Sequence, residues 1–134
     1  MKGGDFVNSV VHFEMPYKNS KRVAKFYSAA FGWGMNDAGA DMGHYVVAET
    51  SPVDKNRMVK KPGTINGGFY PWRKDAFEPS VVISVTDVKK SMAAVKKAGG
   101  KILGKVQDIP GIGLWVSFRD SEGNRVSILQ AHMK

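Results

Sequence analysis

The chain has 134 residues, a length that suits one compact domain or two small modules sharing a core. It contains no cysteine, which excludes a disulfide framework and a thiolate metal site and fits a cytoplasmic protein. The formal net charge is +8, but the lysines are scattered and are not interleaved with aromatic residues, so we expect a solvated basic surface and no nucleic-acid partner. No run approaches the ~18 apolar residues of a membrane span, and the N-terminal segment has no signal-peptide core.

Residues 9–15 alternate as a β-strand whose two faces differ in chemistry. The face predicted to pack in the core carries Val11, Phe13 and Met15. The other face carries Val10, His12 and Glu14, and its two ionisable groups indicate that it lines solvent or a pocket. Pro16 is predicted to end this strand, because proline has no N–H for the ladder.

An amphipathic helix is predicted next, capped by Asn19 or Ser20 and closed by Gly32. Strands are predicted at residues 33–37, 44–50 and 64–70, the last with Gly67 and Gly68 marking a bulge or a close backbone approach. Residues 71–79 carry a proline at each end and read as the connector between two modules.

The second module repeats this order. Residues 80–85 are predicted to form a strand, Thr86 or Asp87 caps a helix, and the pair Gly99-Gly100 closes it, with Gly100 at an offset of 68 residues from Gly32. Further strands are predicted from residue 101, at 114–119 and at 125–130, with a Pro/Gly turn at 108–113. The sequence therefore predicts an α+β fold made of two βαβββ modules, residues 9–70 and 80–131, whose paired curved mixed sheets form a single domain around a cleft.

Four short motifs carry a family resemblance. They are Val11-His12-Phe13 in the first strand, Lys25-Phe26-Tyr27 with Phe31-Gly32-Trp33 in the first helix, Ala98-Gly99-Gly100 after the second helix, and Asp120-Ser121-Glu122-Gly123-Asn124 before the last strand. In this set the chain resembles the vicinal-oxygen-chelate superfamily, which includes glyoxalase I, extradiol dioxygenases and bleomycin-resistance proteins. The resemblance spans roughly residues 9–131 and implies the glyoxalase-like fold.

The resemblance also locates four positions that hold the metal ligands in metal-dependent members. In this chain they fall on His12, Asn66, Ser80 and Ser127. Only His12 is a competent transition-metal ligand, and even with Glu14 beside it the set falls short of the about three protein ligands that a catalytic site needs. We therefore expect no catalytic metal and no other cofactor; a bound divalent metal is the less favoured alternative.

His12 and Glu14 are the candidate catalytic residues, as a pair for acid–base chemistry on one strand face. The alternative for His12 is a pocket-lining histidine bonded to a carboxylate, and for Glu14 an ordinary rim carboxylate. The residues expected to line the pocket are Asn66, Tyr70, Ser80, Trp115 and Ser127. Trp115 and Phe118 are odd-spaced, so only one of them is expected to face the cavity.

Two functions are consistent with these residues. The first is a glyoxalase-like lyase or isomerase, related to lactoylglutathione lyase, that acts on a small oxygenated substrate without the full metal site. The second is a metal-free protein that binds and sequesters a ligand, as in the bleomycin-resistance branch. Both imply a small-molecule ligand, and the resemblance implies a homodimer.

Overall fold

The structure is a computed structural model that describes residues 8–55 and 58–132. Within these residues the chain is a mixed α+β protein with eight strands and two helices. These described residues divide into two compact units: those within His12–Pro79, and those from Ser80 onward together with residues 8–11. No helix in the described part of the chain is long and apolar enough to cross a bilayer.

The first unit has the predicted βαβββ order. Its elements are β1 (Val10–Tyr17, of which the first two residues are grouped with the second unit), α1 (Ser20–Phe31), β2 (Gly34–Asp37), β3 (Val46–Glu49) and β4 (Asn66–Pro71). The strands lie side by side in the order β2-β3-β4-β1, and β1 runs parallel to β4 while the other pairs are antiparallel. A single 3-10 turn, Ala40–Met42, separates β2 from β3.

Strand β1 does not end at Pro16, so that prediction was wrong. Pro16 stands opposite Tyr70 and Tyr17 opposite Pro71, and Trp72 N donates a 2.8 Å hydrogen bond to Tyr17 O. A proline removes one donor from a ladder, and the parallel pairing with β4 continues through the remaining groups. The predicted core position Val11 is also corrected, because this residue is 42% exposed.

Helix α1 is fixed at both ends by its sequence. Asn19 is the cap, in extended conformation, and its side chain accepts a 2.9 Å hydrogen bond from Arg22 N. Gly32 closes the helix at φ 71°, which a glycine adopts without a Cβ penalty. The apolar stripe of α1 packs on the sheet through Val23 and Tyr27, and the Tyr27 ring stacks on Trp33 at 4.7 Å between centroids.

The second unit repeats the arrangement. Its elements are β5 (Ser80–Ser84), α2 (Val88–Lys97), β6 (Lys101–Ile109), β7 (Gly113–Arg119) and β8 (Arg125–Ala131). The strand order is β6-β7-β8-β5, with β5 parallel to β8. The α+β class and the βαβββ order of both modules are thus confirmed.

Helix α2 begins and ends where the sequence predicted. Asp87 caps α2, 68 residues after Asn19, and of the predicted pair Gly99-Gly100 it is Gly99 that has the left-handed backbone, at φ 100°. The two helices differ in length, 10 residues against 12, so one offset cannot match both ends. Strand β6 is longer than predicted and reaches Ile109, into the segment predicted as a turn.

Each sheet has one face covered by its helix. In the first unit that face carries Phe13, Met15, Val46, Ala48 and Phe69, which form the core with α1. In the second unit it carries Val116, Phe118 and Ile128, which pack with Val88 of α2. Because side chains alternate along a strand, the neighbouring residues point to the opposite side, here called the helix-free face. The polar residues predicted to be functional lie on the helix-free faces.

Candidate active site

The helix-free face of the first unit brings together three polar side chains from one strand and a loop. His12 and Glu14 lie two residues apart on β1. Tyr45 comes directly before β3, and its backbone N–H is held by Met42 O at 3.2 Å. Opposite β1, strand β4 places Asn66 beside His12 and Gly68 beside Glu14. We call His12, Glu14 and Tyr45 the polar triad.

Tyr45 holds the ring of His12. His12 Nε2 lies 2.9 Å from Tyr45 Oη, and the two rings are nearly parallel, with an interplanar angle of 20°. Burial lowers the pKa of His12 from 6.5 to about 4, because the cationic form is the one that loses solvation. At neutral pH the imidazole is therefore uncharged.

Tyr45 also contacts Glu14, a carboxylate that is only 8% exposed. The pKa of the Tyr45 phenol is raised well above its ordinary value, first by burial, then by the negative charge of Glu14 and by the hydrogen bond between the two side chains. Tyr45 is therefore a protonated phenol over the whole physiological range. The triad holds one neutral imidazole, one phenol and one carboxylate.

The donors and acceptors of the triad fix the direction of its hydrogen bonds. When Glu14 is ionised its carboxylate can only accept, so the single O–H of Tyr45 points to Glu14. The lone pair of Tyr45 Oη must then accept from His12, which assigns the Nε2–H tautomer to the imidazole. Donation runs from His12 through Tyr45 to Glu14, and each bond polarises the next.

Asn66 lies beside His12, but its side-chain amide is hydrogen-bonded to the chain segment that follows β3. Its Oδ1 accepts from Thr50 N at 2.7 Å and from Ser51 N at 2.9 Å, and its Nδ2 donates to Ser51 O at 3.1 Å. Asn66 therefore fixes the start of the loop that follows β3. Its carbonyl oxygen already has these donors, which leaves it poorly suited to hold a metal.

Tyr70 is buried at the far end of β4 from Asn66, and its Oη donates to Glu78 O at 2.8 Å. This bond ties the connector after β4 back to the sheet. Tyr70 still adds a small contribution to the raised pKa of the Tyr45 phenol. It lies on the helix-free face with the triad, two residues along β4 from Gly68.

The helix-free face of the second unit is dominated by hydroxyl groups. Ser117 on β7 and Ser127 on β8 are neighbours in register, both are buried, and their Oγ atoms are 2.8 Å apart. Ser80 Oγ is buried and has no hydrogen-bond partner among the described residues. Trp115 is half-buried with the Arg125 guanidinium 6.0 Å from its ring centroid, whereas Phe118 belongs to the core with α2.

These groups do not fit a transition-metal site. In residues 8–55 and 58–132, no three His, Asp or Glu side chains come together as a ligand set. His12 Nε2 is bonded to Tyr45, the Asn66 oxygen is bonded to the loop, and the other two family positions are serines. A neutral hydroxyl is a weak ligand for such metals, so His12 has no companion set to complete a site.

A sequence model of the "Glyoxalase/Bleomycin resistance protein/Dioxygenase superfamily" matches residues 9–128. The chain belongs to this superfamily. A "Glyoxylase-like domain-containing protein" from Didymella fabae is similar to this member, at 31% identity over 120 residues, which cover 86% of this chain and 88% of the fungal protein.

Several solved structures share the superfamily fold with this chain. Streptomyces coelicolor methylmalonyl-CoA epimerase, in complex with 2-nitronate-propionyl-CoA, superimposes with a TM-score of 0.68 at 12% identity, covering 95% of this chain and 99% of the epimerase. The Mycobacterium tuberculosis methylmalonyl-CoA epimerase gives 0.68 at 10% identity, covering 99% and 94%. A hypothetical protein from Bacillus halodurans C-125 gives 0.63 at 14% identity, covering 95% and 96%.

Sequence reasoning missed Tyr45, the residue that joins His12 to Glu14. Two signals were available. Alternation along residues 44–50 puts Tyr45 on the face opposite the core residues Val46 and Ala48. The glycine at position 68 indicated that something bulky lies against β4, but the sequence did not say which side chain it was.

Proposed function

We propose that this superfamily member is an isomerase that moves a proton on a small carbonyl compound, with Glu14 as the proton acceptor and without a catalytic metal. The observation that carries the proposal is the polar triad: a carboxylate of 8% exposure held by a protonated phenol, which is held by a neutral imidazole. Positioned acid–base groups of this kind contribute about 10²- to 10⁴-fold to a rate.

The reaction class follows from the protonation states. In its ionised form Glu14 takes the proton from the carbon next to the carbonyl; the electron pair of the C–H bond forms a C=C bond, and the π pair of the carbonyl moves onto its oxygen to give an enolate. A water molecule then protonates that carbon from the opposite face as the enolate returns to the carbonyl, and the hydroxide that remains takes the proton from Glu14, so no atom or charge is gained or lost. Tyr45 stays a protonated phenol that holds the carboxylate of Glu14, and His12 stays a neutral imidazole that holds Tyr45.

The comparisons support an isomerase more than another activity of the superfamily. The epimerases with the same fold act on a CoA ester of a branched acid, and their substrate carries a hydrogen next to a thioester carbonyl. A lyase acting on a methylglyoxal–thiol adduct would share the same first proton abstraction, so it is tested alongside.

The test is proton exchange in heavy water. The protein is incubated with a panel of 2-methylacyl thioesters, hydroxyketones and the methylglyoxal–thiol adduct, and deuterium at the reacting carbon is followed by NMR. We expect exchange with at least one compound, a loss of about 100-fold or more in Glu14→Gln, and no effect of a chelator. Exchange that persists in Glu14→Gln contradicts the assignment of Glu14.

A metal-free binding protein of the sequestering type is the second candidate. It is favoured by the second unit, where Ser80 and Ser127 occupy the family's ligand positions and the Ser127 hydroxyl is hydrogen-bonded to that of Ser117. Calorimetry with the same panel separates the two functions. Tight binding of one compound, with no deuterium exchange in any compound of the panel, supports sequestration and contradicts the isomerase.

We also propose a homodimer in the cytoplasm, on the superfamily resemblance and the cysteine-free composition. The mass of the purified protein in solution, by light scattering coupled to size exclusion, tests the dimer. A mass near the 14.7 kDa of one chain at micromolar concentration contradicts it.

A further inference from the structure

Gly68 lies at the centre of the first-unit sheet, where a glycine is unfavourable. It is in register with Glu14 on one side and with Val47 on the other, so both neighbouring strands pair with it. A glycine inside a strand costs about 0.5–1 kcal/mol relative to alanine, through the greater freedom of its unfolded backbone. Its backbone is ordinary extended strand, outside the glycines with positive φ, so conformation does not require a glycine here.

The space beside Gly68 does require a glycine. A Cβ at this position would lie 2.0 Å from Tyr45 Cε2, 2.1 Å from Cζ and 2.2 Å from Oη, and real Cβ atoms do not approach other atoms closer than 3.0 Å. The phenol thus lies directly against the β4 backbone. In this position its Oη is 2.9 Å from His12 Nε2 and bonded to Glu14.

We propose that Gly68 is a positioning residue for the polar triad: its missing side chain is the slot that lets the Tyr45 ring reach His12 and Glu14 together. The catalytic part of this proposal rests on the proposed function. The part that concerns the position of the Tyr45 ring does not depend on that function, and the experiment tests the two parts separately.

Gly67 supplies a matched control in the same strand. A Cβ there would lie 2.5 Å from three carbons of the Phe13 ring, on the face covered by α1. Gly67→Ala therefore disturbs packing to a comparable degree but on the opposite side of the sheet. An effect on the triad that appears in Gly68→Ala and not in Gly67→Ala is therefore caused by filling the space that the Tyr45 ring occupies beside Gly68.

The first readout is the His12 imidazole, followed by ¹⁵N NMR of histidine-labelled protein. In the wild type and in Gly67→Ala we expect a single neutral Nε2–H tautomer. In Gly68→Ala, as in Tyr45→Phe, the His12 signal shifts because Nε2 loses its phenol partner. A Gly68→Ala protein whose His12 signal matches that of the wild type overturns the proposal, whether or not a substrate is known.

The second readout is catalytic and uses any compound that exchanges deuterium. Displacement of a positioning group by about 1 Å costs on the order of 100-fold, so Gly68→Ala should lose about that much in kcat with less than about twofold change in KM. If Gly68→Ala shifts the His12 signal but no compound exchanges deuterium in the wild type, the positioning role of Gly68 is supported and the isomerase function is contradicted.

A double variant covers the case in which Gly68→Ala does not fold. Tyr45→Ala removes the ring that an alanine at position 68 would strike, so Tyr45→Ala/Gly68→Ala should be at least as stable as Tyr45→Ala alone, by denaturant midpoint. A double variant that is clearly less stable than Tyr45→Ala alone shows that an alanine at position 68 strikes something other than the Tyr45 ring, and this overturns the proposal.

Discussion

The Nε2 atom of His12 lies 2.9 Å from the Oη atom of Tyr45, although 33 residues separate them in the chain. The contact places a neutral imidazole where the superfamily resemblance implies a metal ligand. A histidine that donates to a phenol through Nε2 cannot offer the same nitrogen to a metal. This one contact converts a position typical of a metal site into part of a hydrogen-bonded triad.

His12 should make the stability of the protein depend on pH in the acidic range. The pKa of His12 is about 4 in the folded protein and 6.5 in its ordinary state. Between these two pH values His12 is therefore protonated in the unfolded chain and unprotonated in the folded chain. Stability therefore falls as the pH is lowered from 6.5 towards 4, by at most about 3 kcal/mol at 1.36 kcal/mol per pKa unit.

The measurement is denaturant unfolding of the wild type and His12→Gln at pH 7 and pH 4.5. The exposed carboxylates contribute equally to both proteins, so the difference in pH dependence isolates the histidine. We expect the wild type to lose more stability than His12→Gln on acidification. An equal loss in both would place the pKa of His12 near its ordinary value.

Removal of metal should leave the protein unchanged. The described residues contain no cluster of three His, Asp or Glu side chains, and a ligand that binds only the folded state raises stability with its concentration. Dialysis against a chelator and titration with Zn²⁺, Ni²⁺ or Mn²⁺ should give the same melting temperature. A rise in melting temperature with one of these ions, absent in His12→Gln, would show that the protein binds that metal through His12.

The fold was predictable because its signals are local. Asn19 and Asp87 cap the helices through side-chain oxygens, and the apolar stripe of α1 follows from spacing alone. The strand end at Pro16 was mispredicted because proline removes a donor without dictating the partner strand. Whether the strand continues depends on β4, whose Tyr70 pairs with Pro16 from 54 residues further along the chain.

The candidate site was half predictable for the same reason. Alternation along one strand puts His12 and Glu14 on one face, and no longer-range knowledge is needed. Tyr45 is brought to these two residues by the pairing of β3 with β4 and of β4 with β1, and this pairing cannot be read from the sequence. The roles of Asn66 and Ser127 also depend on partners in other strands, so their hydrogen bonds became visible only in the structure.

The buried pair Ser117 and Ser127 should behave as a unit. Their hydroxyls are 2.8 Å apart, at 3% and 0% exposure, so a single alanine leaves one buried hydroxyl without its partner at a cost of about 1–3 kcal/mol. The double variant removes both groups and should be less destabilised than the sum of the singles. The exposed Ser121→Ala serves as the control, with a change within about 0.5 kcal/mol.

Unfolding free energies of the two single variants, the double variant and the control form a complete cycle. Strict additivity of the two single losses would contradict a mutual hydrogen bond. If Ser127→Ala alone is neutral, Ser117 has found another acceptor in the folded protein, and the pair is not the reason for the two buried serines.

Asn66 should be more important for stability than for chemistry. Its Oδ1 accepts from Thr50 N and Ser51 N, and its Nδ2 donates to Ser51 O, so Asn66→Ala leaves two backbone donors and one acceptor unsatisfied beside a strand end. We expect a loss of about 1–3 kcal/mol. Asn66→Asp keeps the acceptor for both N–H groups but turns the Nδ2 position into an oxygen facing Ser51 O, which predicts an intermediate stability.

The exposed Asn36→Ala on β2 is the matched control, with an expected change within about 0.5 kcal/mol. Denaturant unfolding gives the stabilities, and the histidine-labelled NMR signal of His12 reports on the triad. Since Asn66 lies beside His12 in register but bonds to the loop, the His12 signal should stay close to that of the wild type in both variants. A His12 signal that moves as far in Asn66→Asp as in Tyr45→Phe would make Asn66 a working part of the site.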